Sequence, residues 1–200
     1  MKRPIFSNLA VVYAQQHILS TNNKKSKIIV FLAGPTPQYG SNNPATYSWR
    51  DGFTKQLDNM LKIPSNVIVV CPEPESRNWT DTKYGMTEGQ ITWEDKWLEM
   101  ADIIVFWHET RWTPNEETLK NCYHGQNIAN IGIQFRFEVG FYIGNKNKIR
   151  IFYIPSHAEG VAGVMWYLEH KSDNNLFAYP KECNVLDKTL KAIRSRMMLK

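Results

Sequence analysis

Ile28-Ile29-Val30-Phe31-Leu32-Ala33, closed by Gly34-Pro35, is the stretch on which the fold turns. Six apolar residues in a row, ended by a turn dipeptide, leave no polar face to give to water. A run of this kind is expected of a strand buried on both sides in a parallel sheet, where helices cover both faces. Val67-Ile68-Val69-Val70, Ile103 to Trp107 and Ile149 to Ile154 repeat the pattern, and Leu9 to Tyr13 reads as a short strand ahead of them.

Helical patterns lie between these runs: Tyr47 to Leu61, Thr92 to Ala101, Arg136 to Gly144, Gly160 to His170 and Val185 to Met198. Regular alternation of strand and helix predicts an α/β fold, a doubly wound, mostly parallel sheet with helices on both faces. The 200 residues, 42% of them hydrophobic and 12% aromatic, suffice for one core and one domain spanning 1–200. Within it, 1–27 reads as an N-terminal strand and linker and 108–135 as a long loop or lid. No internal repeat or low-complexity tract divides the chain.

Composition narrows the function. The longest apolar runs, such as Ile103 to Trp107, fall far short of the roughly 18 to 20 residues that a membrane helix needs. The segment after Met1-Lys2-Arg3-Pro4 lacks the continuous apolar centre of a signal peptide, so a soluble, cytoplasmic protein is expected. Cys71, Cys122 and Cys183 are odd in number and widely spaced, which suits neither a disulfide framework nor a zinc knuckle. His108, His124 and His157 show no ligand-like spacing, and no metal is expected. Much of the net charge of +5 sits from Lys181 to Lys200, but Val185, Leu186, Leu190, Ile193 and Met197 form a packing stripe there. That tail reads as a docked helix with a solvated basic face rather than a nucleic-acid surface.

Three long connections follow predicted strands at their C-terminal ends: 34 to 46, 71 to 91 and 108 to 135. Ligands of open α/β sheets bind at that edge, and loops of this length tend to be binding loops or lids.

Two acids draw attention beside it. In Thr92-Trp93-Glu94-Asp95, Thr92 is expected to cap a helix and Asp95 to reach back to it. Glu94 then falls in the first turn, on a stripe with Leu98 and Ala101 flanked by Trp93 and Trp97, close to the buried face. Glu138 shares a stripe with Phe141 and Tyr142, and Gly140 and Gly144 are expected to let its helix approach the sheet closely. Placed in a first turn, Glu138 should have its pKa lowered by unpaired N–H groups and the helix dipole. Each acid alone also reads as a plain first-turn helix stabiliser, Glu138 with Arg136 as a partner. Together they suggest glycosidic chemistry, in which one carboxylate attacks the anomeric carbon and the other protonates the leaving group, the two about 5 to 5.5 Å apart in retaining enzymes.

The blocks Phe31-Leu32-Ala33-Gly34-Pro35-Thr36-Pro37, Ser48-Trp49-Arg50, Trp93-Glu94, Ala101-Asp102-Ile103-Ile104-Val105-Phe106-Trp107 and Phe137-Glu138-Val139-Gly140 follow one another in an order that resembles the nucleoside 2-deoxyribosyltransferase-like family. The resemblance runs from about Val11 to Pro155, roughly three quarters of the chain. It implies a flavodoxin-like sheet in which Glu138 forms a covalent deoxyribosyl intermediate that a nucleobase then accepts. Glu94 stands where many of these transferases carry Asp. Gln134-Phe135-Arg136 replaces the small hydroxyl or amide residues that usually precede the nucleophile.

The same resemblance places Gly34, Pro35, Trp49, Arg50 and Trp107 near the pocket. Gly34-Pro35 would let the backbone approach a sugar or base, while Trp49 and Trp107 would either stack on a base or fill core. Arg136 would either grip a phosphate, favouring a nucleotide, or pair with Glu138. The implied ligands are a nucleoside or nucleotide and a free nucleobase, with no cofactor, and the implied assembly is a homo-oligomer. Base exchange leads, with N-glycoside hydrolysis through the same carboxylates, or a nucleotide-binding module without turnover, as the alternatives.

Overall fold

A computed structural model describes residues 5–16, 26–34, 49–61, 66–76, 88–108, 133–158, 160–171 and 173–199, with the backbone alone for 88 and 133–137. The expectations placed on Pro35, on most of the three long connections, on Cys122 and His124, and on the Arg136 side chain lie outside the described residues.

Six strands form one parallel sheet: β1 (Ala10–Tyr13), β2 (Ile28–Ala33), β3 (Val67–Cys71), β4 (Ile103–Trp107), β5 (Ile149–Tyr153) and β6 (Leu176–Tyr179), in the order β1-β3-β2-β4-β5-β6. All five pairings are parallel, with Val30 opposite Ile103 and Phe31 opposite Val70. Without the edge strand β1, the order is that of a flavodoxin-like fold, whose switch point lies between β2 and β4. Every residue of β2, β3 and β4 is buried, as their uninterrupted apolar runs require.

Alternation along the strands divides the core. Val30, Leu32, Val105 and Trp107 face α1 (Trp49–Leu61) and α5 (Glu182–Leu199). Ile29, Phe31, Ile104 and Phe106 face α2 (Glu88–Met100), α3 (Ile133–Tyr142) and α4 (Ala162–Lys171). The C-terminal stripe is real, with Val185, Leu186, Leu190 and Ile193 buried and Met197 at its exposed end. No helix among the described residues is long and apolar enough to cross a membrane.

Of the helix starts that differ from expectation, two bear on the site. α2 begins by Glu88, so Thr92 is an interior residue and not a cap. α3 begins at Ile133, so Glu138 is its sixth residue and the first turn holds no acid. Gly140 also departs from its expected role: it is exposed, and a Cβ there would meet nothing within 4 Å. Gly144 lies in the turn after α3, where a Cβ would come 3.1 Å from the Tyr167 hydroxyl, so it faces α4 rather than the sheet.

Two of the three helices on this face, α2 and α3, are pinned at their C-terminal ends by buried cations, Lys148 just before β5 and Arg150 within it. Lys148 Nζ donates to the carbonyls of Glu99 (2.7 Å) and Ala101 (2.9 Å) at the end of α2. Arg150, fully buried, donates to the Ile143 carbonyl just after α3 and to both oxygens of Asp173 (2.6 and 2.8 Å). Positive charge at a helix C-terminus meets the negative end of its dipole, so these contacts fix the axial position of whatever α2 and α3 carry.

Candidate active site

Glu94 on α2 and Glu138 on α3 come together. Trp93 and Trp97 bury one side of α2 against the sheet, and Val139 and Tyr142 do the same for α3. The residues next to these anchors are turned toward the neighbouring helix. There the two carboxyls hydrogen-bond to each other. Beside them lies a cavity of about 230 Å³ lined by Ile91, Glu94, Asp95, Leu98, Glu138, Phe141 and Tyr142. This cavity opens between the two helices, rather than in the crevice at the strand ends where the long loops directed attention.

Burial sets the electrostatics. Loss of water raises the Glu138 pKa to about 8, with the negative charge of Glu94 as the next cause. The same desolvation raises Glu94 to about 6, opposed by a hydrogen bond from Gln90 and the charge of Arg50. The expectation of a lowered Glu138 pKa is therefore overturned. At the sixth position of its helix Glu138 lies beyond the four unpaired N–H groups, and the dipole's influence fades within the first turn. Near neutrality the pair holds one proton between two carboxyls.

Three further side chains complete the surroundings. Gln90, one turn before Glu94 and 1% exposed, donates from Nε2 to Glu94 Oε1 at 2.6 Å. The Tyr142 hydroxyl donates to Asp95 Oδ1 at 3.2 Å, bridging α3 and α2 along the cavity wall. Burial first, and then the Asp95 charge, raise the Tyr142 pKa, so the phenol stays a donor. Glu73, 1% exposed after β3, takes the Arg50 guanidinium at 2.6 Å.

Arg50 lies at the start of α1, on the other face of the sheet, and reaches over its C-terminal edge. Its Nε donates to the Leu32 carbonyl (3.0 Å), one Nη to the Gly34 carbonyl (2.7 Å) and the other to Glu73. Completely buried and committed to these acceptors, it is an electrostatic neighbour of the carboxyl pair, which feels its charge, and not an open hand for a substrate. Gly34 is required by close approach: a Cβ there would lie 2.9 Å from Trp107 Cβ and 3.0 Å from the Trp107 carbonyl oxygen.

Trp49 and Trp107 take the core alternative. They stack on each other with ring centroids 4.4 Å apart and an angle of 13°, and Tyr153 continues the stack at 4.1 Å from Trp107. Both indoles are buried in the α1–α5 layer, across the sheet from Glu94 and Glu138. Of the residues expected around a pocket, the structure thus unites Glu94 and Glu138, gives Arg50 an indirect part, and assigns Gly34, Trp49 and Trp107 to packing.

Asp102, in the Ala-Asp block, is also structural: it accepts from the Ile29 N–H at 2.9 Å and its own N–H donates to the Ile29 carbonyl at 2.9 Å, fixing the β2–β4 register. No family model matches the chain, and no curated protein matches it significantly. Function must be argued from the pair itself.

Gln90 and Glu73 were missed. With the helix started at Thr92, Gln90 fell in a loop and its i, i+4 relation to Glu94 was invisible. Glu73 sits in Cys71-Pro72-Glu73-Pro74-Glu75, where no periodicity marks one acid as buried.

Proposed function

We propose that this chain is an N-glycosyl transferase that exchanges the base of a 2′-deoxynucleoside through a covalent glycosyl-Glu138 intermediate. Support comes from one observation above the others: two carboxyls from different helices meet beside a cavity, where burial and their mutual charge push their pKa values up. Glycosyl transfer with retention needs an ionised carboxylate and a protonated one at the same place and time, and a coupled pair supplies both.

In the first half-reaction, the Glu138 carboxylate forms a bond to C1′ as the bond from C1′ to the base nitrogen breaks, and Glu94 delivers its proton to that nitrogen. In the second, Glu94 takes a proton from an incoming base, whose nitrogen bonds to C1′ as the Glu138 ester bond breaks. Water entering in place of the base would release free sugar. The direct contact between the carboxyls belongs to the free enzyme, and a sugar entering between them would open it toward the spacing of retaining enzymes.

The test is incubation with a deoxynucleoside plus a second free base, followed by chromatography. The proposal expects exchanged nucleoside in the wild type, reduced by at least about 10³-fold in Glu138→Gln, in keeping with loss of a nucleophile. Free base and sugar without exchange would make it a hydrolase, and binding without either product would make it a nucleotide-binding module.

A further inference from the structure

Gln90 uses only half of its side chain. Nε2 donates to Glu94 Oε1 at 2.6 Å, while Oε1, buried to the same degree, has no hydrogen-bond partner among the described residues. Buried carboxamide oxygens are normally bonded, because stripping water from them without replacement is unfavourable. The orientation seen is therefore decided at the Nε2 end, by Glu94. Turned over, the amide would set its oxygen against a Glu94 oxygen, acceptor against acceptor, unless Glu94 carried the proton. In that state the reversed amide would accept a hydrogen bond from Glu94, and no other hydrogen bond at its oxygen among the described residues would be lost.

We infer that Gln90 is a positioning residue that follows the proton of the carboxyl pair, donating to Glu94 when Glu94 is ionised and accepting from it when Glu94 is protonated. This deepens the transfer reading of the same site and rests on it for its purpose, though not for its geometry. With Gln90 donating, Glu94 holds the charge and Glu138 the proton. For Glu138 to attack, that proton crosses the hydrogen bond between the carboxyls to Glu94. The O–H bond on Glu138 breaks, one forms on Glu94, and the net charge of the pair is unchanged. The amide then reverses and holds Glu94 as the acid that will protonate the leaving base. Among the described residues, Arg50 from α1, Asp95 from α2 and Tyr142 from α3 are the other charged or titratable groups around the pair, and none of them bonds to Gln90 Oε1.

The test is carboxyl-carbon NMR titration of the wild type and of Gln90→Met, which keeps the length of the side chain and removes both hydrogen-bonding ends. Loss of the donor should raise the Glu94 midpoint by about one pH unit and narrow its separation from Glu138. Unchanged midpoints for both carboxyls would overturn the inference. On the wild type alone, the Gln90 side-chain amide resonances should move with the titration of the pair, and resonances that ignore it would likewise overturn it, so the result stands even if the variant does not fold. If the titrations behave as expected but no base exchange is seen, the transfer reading fails and the positioning role stands. If exchange is seen, the acidic limb of the kcat/KM profile should move upward in Gln90→Met, a change that loss of packing alone would not cause.

Discussion

Glu94 and Glu138 lie on different helices, yet their carboxyls meet where burial raises the pKa of both. Most of what the chain can be expected to do follows from this contact. A lone buried carboxylate is costly, whereas two that share a proton keep a single charge between them, which the nearby Arg50 guanidinium favours.

The pair should make stability depend on pH in an unusual direction. Both groups have folded pKa values above the ordinary 4.5, so the folded chain binds protons more tightly than the unfolded chain. Their contribution is fully present below about pH 4.5 and is lost as pH rises through about 6 and about 8. Calorimetry should therefore show the wild-type Tm falling as the pH is raised from about 5 to about 9, and falling less in Glu138→Gln. The variant should be the more stable protein at the alkaline end. Parallel curves would mean that the pair is not desolvated.

The buried link between Arg50 and Glu73 should be expensive to break from one side. Glu73→Gln or Arg50→Met leaves an uncompensated group at the sheet edge, and urea denaturation should register a loss of about 3–5 kcal/mol. Replacing both, as Arg50→Met with Glu73→Leu, should recover part of that loss. Arg50→Met should in addition raise the titration midpoints of Glu94 and Glu138, because its charge lowers both.

Gly34→Ala should act through backbone. A methyl group there runs into the Cβ and carbonyl oxygen of Trp107, neither of which can swing aside. A loss of about 1–3 kcal/mol in chemical denaturation is expected. A neutral result would show that the ends of β2 and β4 are less closely apposed.

The stacked indoles should matter for stability and not for base choice. Trp49→Phe should lower stability by roughly 1 kcal/mol, while the ratio of kcat/KM between two competing bases stays unchanged. A shift in that ratio would mean that the α1 face takes part in recognition.

How much was legible in the sequence follows from these residues. The strands announced themselves because burial on both faces demands apolar runs, which β2, β3 and β4 have unbroken and β5 has with Arg150 as its one interruption. β6 passed unnoticed: Leu176-Phe177-Ala178-Tyr179 is only four residues long and lies at an edge where three of its four side chains are half-buried. Glu94 and Glu138 were found because acids on apolar stripes are conspicuous, but their state was misjudged. Thr92 reads as a cap for the helix of Glu94 and Arg136 as the start of the helix of Glu138, so both acids read as belonging to the helix dipole, whereas the structure gives them to burial. Trp107 could not be assigned to a sheet face without the register, since one position of slip turns it to the other face, and Trp49, on α1, takes its place from the stack on Trp107.

Intact-protein and peptide mass spectrometry after mixing the chain with a 2′-fluorinated deoxynucleoside is the most direct test of Glu138 as the attacking group, because a slowed second step should leave the sugar on the enzyme. A mass increase of one fluorinated deoxyribosyl group on the peptide bearing Glu138, absent in Glu138→Gln, is the expected result. A sugar found on Glu94 or elsewhere, or turnover of the natural nucleoside with no adduct on any residue, would contradict it.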